Sequence, residues 1–395
     1  MNCRFCNASL SHVFADLGQT PLANSYPTKS EITRGEHYFP LLAYVCSKCF
    51  LVQLEQFEDP SKIFRHYAYL SSYSKSWLNH AKEFSEMAIN RFNLNKSSHV
   101  IEIASNDGYL LQYFKKQKIP VLGIEPALNI AKISRKKGIA TVSDFFGANT
   151  AKKIAKTKEK SDLLIAFNVL PHVPNLKDFV KGIKIILKPS GIAIIQFSAY
   201  ILKLIQKNEY DTIYHEHFSY FSLLTLSKIF SHFGLSIFDV QEIDVHGGSL
   251  RVFLKHKNNS SISISKNVKN KIQQEKKFGL DKLETYSNFQ KKIAKSKIDI
   301  WKFFQKISLE KKSVVGYGAP AKSCTTLNFC GIKNDLLPFT VDVSIEKQGL
   351  FIPGTHIPIY SPKKIFQTKP DYVIILAWNL KDEIIDQMKK IQNWN

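Results

Sequence analysis

The stretch Tyr210–Ser222, YDTIYHEHFSYFS, sets three titratable side chains, His215, Glu216 and His217, between two aromatic clusters. Imidazoles and carboxylates carry protons near neutral pH, and an aromatic surround that excludes water sharpens both as acid and base. A buried charge is costly unless paired or hydrogen-bonded, so this concentration is either a satisfied core pair or a proton-transfer site. A second telling set is Cys3, Cys6, Cys46 and Cys49, in CRFC and CSKC. Two CxxC pairs have zinc-ribbon spacing, each pair a turn presenting two thiolates to one tetrahedral Zn2+. Four thiolates leave no open coordination position, so the expected metal is structural. Disulfides, the other use of such pairs, are disfavoured in a reducing compartment. Cys324 and Cys330 stand apart and read as small apolar core residues.

The elements that must position these groups begin with HVIEIASNDGYLLQYF, an apolar strand (99–104), a small polar turn (Ser105–Gly108) and an amphipathic helix. About twenty residues beyond the turn, VLGIEPA reads as a second strand ending in Glu125, where a carboxylate can accept both ribose hydroxyls of a nucleoside cofactor. The turn has one glycine and no GxGxxG, which suits a pyrophosphate poorly and S-adenosylmethionine (SAM) better. IATVSDFFG adds a third strand with Asp144 placed for the adenine amino group, SDLLIAFNVLPHV a fourth followed by Asn168 and His172, and PSGIAIIQFSAY a fifth. Five strands separated by helices imply a doubly wound, largely parallel sheet with ligands beyond its carboxyl ends. His172 either joins that site or bonds backbone as a loop histidine. Further on, HGGSLRVFL is a strand whose Gly247–Gly248 pair allows close approach and whose Arg251 is placed to meet a phosphate. SVVGYGAPAKSCTTLNF opens a second alternating unit, with Lys322 in the first helical turns as a phosphate partner.

The chain has 395 residues, enough for two or three cores, and 44% hydrophobic content, ordinary for a globular protein. No apolar run approaches the ~18 residues of a membrane span, and MNCRFCNASL lacks a signal-peptide pattern. A cytoplasmic protein with no membrane partner is the expectation. The formal charge of +22 favours phosphate-bearing ligands. Much of it is lysine spread over 255–312 with Glu interspersed, which reads as solvated helix faces rather than a nucleic-acid groove. Composition and pattern divide the chain at 1–57 (the four-cysteine unit), 58–98 (helical connector), 99–265 (the alternating α/β unit with the SAM turn), 266–312 (helical linker) and 313–395 (the second alternating unit).

With CxxC…CxxC, IEIASNDGYLL, DTIYHEHFSYFS, HGGSLRV, GYGAPAK and PDYVIILAWNLKDEI in this order, the chain resembles the nucleotide-sugar C-methyltransferase family over almost its entire length. The resemblance implies an α/β protein with an N-terminal zinc-binding domain, a central class I SAM methyltransferase Rossmann-like domain and a C-terminal Rossmann-like α/β domain. It implies methyl transfer to C3 of a nucleotide-linked 4-keto-deoxysugar, bound in the cleft between the last two domains. By motif it carries His217 over as general base, with Tyr214, Glu216 and His215 in the catalytic segment and Tyr69 reaching the sugar. SAM contacts map to Glu102, Ser105, Asn106, Asp107, Gly108, Glu125, Asp144 and Asn168, and substrate contacts to His246, Gly247, Arg251 and Lys322. Ser323-Cys324 and the stretch SIEKQG depart from the family pattern, and the chain closes at Asn395 where a final apolar strand is expected. A monomer or weak homodimer is expected. Two rivals remain: a zinc-containing RNA methyltransferase, which would carry a motif such as NPPY, and a non-catalytic scaffold, which would have lost Glu125 or the YHEH pair.

Overall fold

The computed structural model describes residues 1–65, 70–245 and 247–394 and contains three sheets. The first is antiparallel, built from β1 (His12–Thr20), β2 (Phe39–Val45) and β3 (Val52–Leu54). Before β1 and between β2 and β3, the CxxC pairs form matching knuckles. Asn7 and Phe50, each just past the second cysteine of its pair, take left-handed φ values of 61° and 63°. Their amides bond back to the carbonyls of Cys3 and Cys46 at 3.0 and 2.9 Å.

The helix Lys75–Phe92 follows, capped by Ser74 and ended by left-handed Asn93. Its buried face, Trp77, Ala81, Phe84 and Ala88, recurs every three or four residues and lies on the second sheet, Phe84 meeting Phe167 at 4.7 Å between centroids. Truncating Phe84 to Ala would leave a cavity costing about 3–5 kcal/mol.

The second sheet starts with five parallel strands, β4 (Val100–Ile103), β5 (Val121–Ile124), β6 (Thr141–Val142), β7 (Ser161–Phe167) and β8 (Leu187–Phe197), in spatial order β6-β5-β4-β7-β8. All four residues of β4 are buried, as expected for a strand covered by helices on both faces. β6 is only two residues long, shorter than its apolar run implies. β9 (Ser219–Tyr220) leaves this unit and joins the first sheet, pairing antiparallel with β3, Tyr220 opposite Val52. No periodicity announced that crossing. β10 (Leu235–Ile243) and β11 (Ser249–His256) return to the second sheet, β11 inserted antiparallel between β8 and β10.

Helices Lys266–Phe278, Leu283–Ser287 and Phe289–Leu309 lead to the third sheet. It comprises β12 (Val314–Tyr317), β13 (Thr340–Val341), β14 (Ile359–Tyr360) and β15 (Tyr372–Ile375), all parallel, in order β14-β13-β12-β15. One core runs from Phe14 and Leu41 of the first sheet through Tyr220 to Ile101 and Ile195 of the second. Among the described residues, no helix is long and apolar enough to cross a membrane.

Candidate active site and zinc centre

A cleft of about 670 Å³ opens at the carboxyl ends of β4, β5 and β7. Its walls include Asn106, Glu125, Asp144, Asn168, His172, Tyr214, His217 and Lys322, with aromatic panels from Trp77, Phe145 and Phe167. The turn after β4 makes this floor possible. Ala104, Asn106 and Gly108 all have positive φ. At Gly108 (φ +78°) a Cβ would lie 2.3 Å from Ile139 Cδ1, so a side chain there would be strained and would displace that isoleucine. Glu125, just past β5, accepts the Asn106 N–H at 2.9 Å through one oxygen and the Ala127 N–H at 2.8 Å through the other. Burial raises its pKa, and the two amides act against that rise. Each oxygen keeps a lone pair for a hydroxyl. Asp144 accepts from the Phe145 N–H and the Thr150 hydroxyl. Asn168 lines the cleft with a left-handed φ of 54°, and its buried Oδ1 has no hydrogen-bond partner among the described residues. Paired acids at the ends of neighbouring strands, an orphaned amide oxygen and aromatic walls fit SAM.

The base candidate is held by a β-turn in which the His217 N–H bonds the Tyr214 carbonyl at 2.9 Å. That turn brings Tyr214 and His217 together and sends His215 and Glu216 to its corners. His217 Nδ1 faces the Thr212 carbonyl at 2.9 Å, and a carbonyl only accepts, so Nδ1 carries the proton. Nε2 is then the lone-pair atom, and it receives the Tyr214 hydroxyl at 2.8 Å. Burial, then the neighbouring His172, holds the His217 pKa well below the usual imidazole value. His172 repeats the tautomer: Nδ1 bonds the Glu216 carbonyl at 2.8 Å, the rings of His172 and His217 lie 4.7 Å apart, and burial lowers its pKa to about 4.

The remaining expected residues fall into three groups. Tyr69 and His246 lie outside the described residues. Ser105, Asp107 and Gly108 are buried within the turn, and Glu102 in β4 before it, rather than lining the cleft. Asp107 accepts from Ser72 and pairs with Lys137 at 2.7 Å, and Glu102 sits under Tyr109 with its pKa raised by burial. The third group faces elsewhere. His215 bonds the Pro40 carbonyl at 3.1 Å between Phe39 and Phe57, on the side of the first sheet. Glu216 is clasped by Asn24 Nδ2, 2.8 Å from both oxygens, and burial pushes its pKa up to about 7. Its main-chain carbonyl, not its carboxylate, bonds His172 Nδ1. Arg251, expected at a phosphate, is buried in β11, bonding Gln196 at 2.7 Å and stacking on Phe84 and Phe167. Gly247 (φ +89°) makes room for Trp378, whose ring a Cβ would meet at 2.6 Å.

Lys322 does reach the cleft, 4.0 Å from the Trp378 ring centroid. Burial lowers its pKa while Asp211 and Glu209 raise it. The turn after β12 copies the one after β4. Asp342, past β13, accepts the Ala319 N–H and the Ser344 N–H, both at 2.8 Å, as Glu125 does for Asn106 and Ala127. Of the departures from the family pattern, Ser323 caps back to the Pro320 carbonyl, Cys324 is buried against Asn328, and Lys347 bonds the Ala319 carbonyl. Sequence reasoning left His172 open between two readings. It missed Asn24 and Trp378 altogether.

At the other end, the four cysteine sulfurs lie within 4.8 Å of one another, with Cys3–Cys49 at 3.5 Å and Cys6–Cys46 at 3.4 Å. A tetrahedral zinc with Zn–S near 2.3 Å requires S···S of about 3.8 Å, so the thiols fit the metal. Gln53 Nε2 donates to Cys3 Sγ at 3.3 Å, the outer-shell contact such thiolates need.

Three family profiles match: a zinc binding domain over 3–64, "Methyltransferase domain" over 77–240 and "C-methyltransferase C-terminal domain" over 244–395. The C-methyltransferase NovU of Streptomyces niveus is 32% identical over 388 residues, covering 98% of this chain and 92% of that protein. Among solved structures, the PH0226 protein of Pyrococcus horikoshii OT3 is similar at TM-score 0.38 and 14% identity, covering 51% of this chain and 100% of that one. An S-adenosylmethionine-dependent methyltransferase of Clostridium acetobutylicum is similar at TM-score 0.36 and 14% identity, covering 45% and 92%. The match along nearly the whole chain, together with the thiol cluster and the SAM cleft, identifies this protein as a member of the zinc-binding, SAM-dependent C-methyltransferase family.

Proposed function

We propose that the protein methylates C3 of a nucleotide-linked 4-keto-deoxysugar through an enolate, in the making of branched-chain sugars. The observation that carries this reading is a neutral His217, its Nδ1–H fixed on the Thr212 carbonyl and its Nε2 lone pair turned to the cleft beside Tyr214. Bound SAM supplies an electrophilic methyl on a sulfonium. The protein's task is to make carbon nucleophilic, and a C–H beside a ketone yields to a side-chain base only if the developing oxyanion is stabilised. His217 Nε2 takes the C3 proton, the C–H electron pair passes into the enolate, and the Tyr214 hydroxyl turns from Nε2 to the O4 oxyanion. The enolate carbon would then accept the methyl that bound SAM supplies, the S–CH3 electron pair staying on sulfur. Glu125 and Asp144 would hold the ribose and adenine of SAM, and Asn168 Oδ1 would accept a hydrogen bond from its amino-acid part. The copied turn at Asp342 and the half-buried Lys322 support a nucleotide in the C-terminal unit, which we take as 313–395.

The test is a panel of 4-keto nucleotide sugars with labelled SAM, read as a one-methyl mass gain on carbon and as C3–H exchange in D2O without SAM. Replacing His217 with Asn should leave SAM affinity intact and cut turnover by about 10²–10⁴-fold. Near-normal turnover, or methylation on oxygen, would refute the proposal.

A further inference from the structure

One side chain runs from the first cysteine knuckle to the residue that follows the base candidate. Arg4 sits between the zinc ligands Cys3 and Cys6, and its Nη1 donates to the carbonyl of Phe218, the residue after His217, at 2.8 Å. Its guanidinium lies 5.5 Å from the Phe218 ring centroid. Arg4 is itself fixed from the metal side: its N–H donates to Gln53 Oε1 at 2.9 Å, and Gln53 Nε2 donates to Cys3 Sγ. The same Phe218 carbonyl accepts the Leu54 N–H of β3 at 3.1 Å, and β9 then continues the pairing with β3. The second knuckle joins in too, since the Cys49 carbonyl accepts the Thr225 hydroxyl at 3.0 Å. The guanidinium leaves from the knuckle closed by the Asn7 N–H bond to the Cys3 carbonyl, so a continuous path runs from the thiol cluster to Phe218.

We propose that Arg4 is a positioning residue for His217, so that the zinc knuckle sets the place of the imidazole in the cleft as well as the stability of the first sheet. This rests on the reading of His217 as the base. Metal binding closes the knuckle, the knuckle aims Arg4, and Arg4 with Leu54 holds the main chain one residue past the imidazole. A misplacement of about 1 Å can cost on the order of 10²-fold in rate without loss of binding.

The experiment uses the full zinc-loaded chain carrying Arg4→Met, Arg4→Lys or Thr225→Val. Zinc per chain, SAM affinity, kcat and KM are measured with the imidazole 15N shifts of His217. For Arg4→Met we expect zinc content and SAM affinity within about twofold of the parent and kcat lower by about 10–100-fold at similar KM. The His217 Nε2 shift should move as its bond from Tyr214 changes. Arg4→Lys, which keeps one donor for the carbonyl, should recover part of the kcat and of the shift. Thr225→Val, which loosens the link to Cys49, should show the same pattern more weakly, and Arg4→Lys decides the matter if Arg4→Met does not fold, its kcat and shift falling between parental values and those expected for Arg4→Met. Parental kcat and parental shifts in Arg4→Met and Thr225→Val overturn the proposal, as does a kcat loss that only follows lost zinc or SAM. If His217→Asn turns over normally, the base assignment fails instead, and the 15N shifts in the Arg4 variants still decide whether the knuckle places that imidazole.

Discussion

Replacing Tyr214 with Phe sets two effects of opposite sign against each other. In the free protein its hydroxyl donates to His217 Nε2 at 2.8 Å, and that atom must give up the bond before it accepts a proton from carbon. A neutral hydrogen bond is worth about 1 kcal/mol net, so its loss alone would speed proton removal by about fivefold. If the hydroxyl then moves to the O4 oxyanion, its loss costs about 10²–10³-fold in kcat. The net expectation is a fall of about 20–200-fold. The ring packs against the core of the third sheet, and Phe preserves that contact, so the fold should hold. The assay pairs kcat with C3–H exchange in D2O without SAM, and both should fall together, because the hydroxyl acts at enolate formation. A variant equal to or faster than the parent would refute the oxyanion role and leave Tyr214 as a mere cap on the base.

Glu125→Gln should weaken SAM by about 10–100-fold in calorimetry, since an amide cannot accept from Asn106, Ala127 and two hydroxyls together. Affinity within twofold of the parent would remove it from the cofactor site. The His172 pKa of about 4 lies below the ordinary 6.5, so between those pH values the unfolded chain holds a proton that the folded one does not. Stability should therefore fall on acidification through that window by up to about 3 kcal/mol. His172→Asn should lack that part of the slope in urea titrations, and parallel curves would contradict it. Cys46→Ala should leave three thiolates, drop tight zinc from about one per chain and lower the Tm. Full zinc by atomic absorption with an unchanged Tm would count against a four-thiolate site.

What could be read in the sequence was local. Strand, turn and acid lie within a few dozen residues at Asn106 and Glu125, and CxxC spacing is itself a geometry, so both could be seen without neighbours. The aromatic segment was located, but its inner arrangement depends on a β-turn that the residue types do not announce. Because His217 bonds the Tyr214 carbonyl, His215 is turned to Pro40 and Glu216 to Asn24. Arg251 reads as a phosphate partner because it follows the Gly247–Gly248 pair, and residue type alone does not tell which strands flank it. β11 is instead an inner strand, and its guanidinium is satisfied by Gln196. Asn24 and Trp378 had no local signal, since each meets its partner only through the tertiary fold.

The heptad Asp211–His217 is fastened by residues remote in the chain: Glu216 to Asn24, 192 positions earlier, and Asp211 to Trp378, 167 positions later. Such closures are entropically expensive and slow to form. During refolding, the cofactor turn can assemble from contacts inside the second sheet while this heptad waits for both ends of the chain. Fluorescence of a bound nucleoside analogue should therefore recover before turnover does. A ribosome-bound chain still short of Trp378 would hold its methyl donor without yet having a finished catalyst.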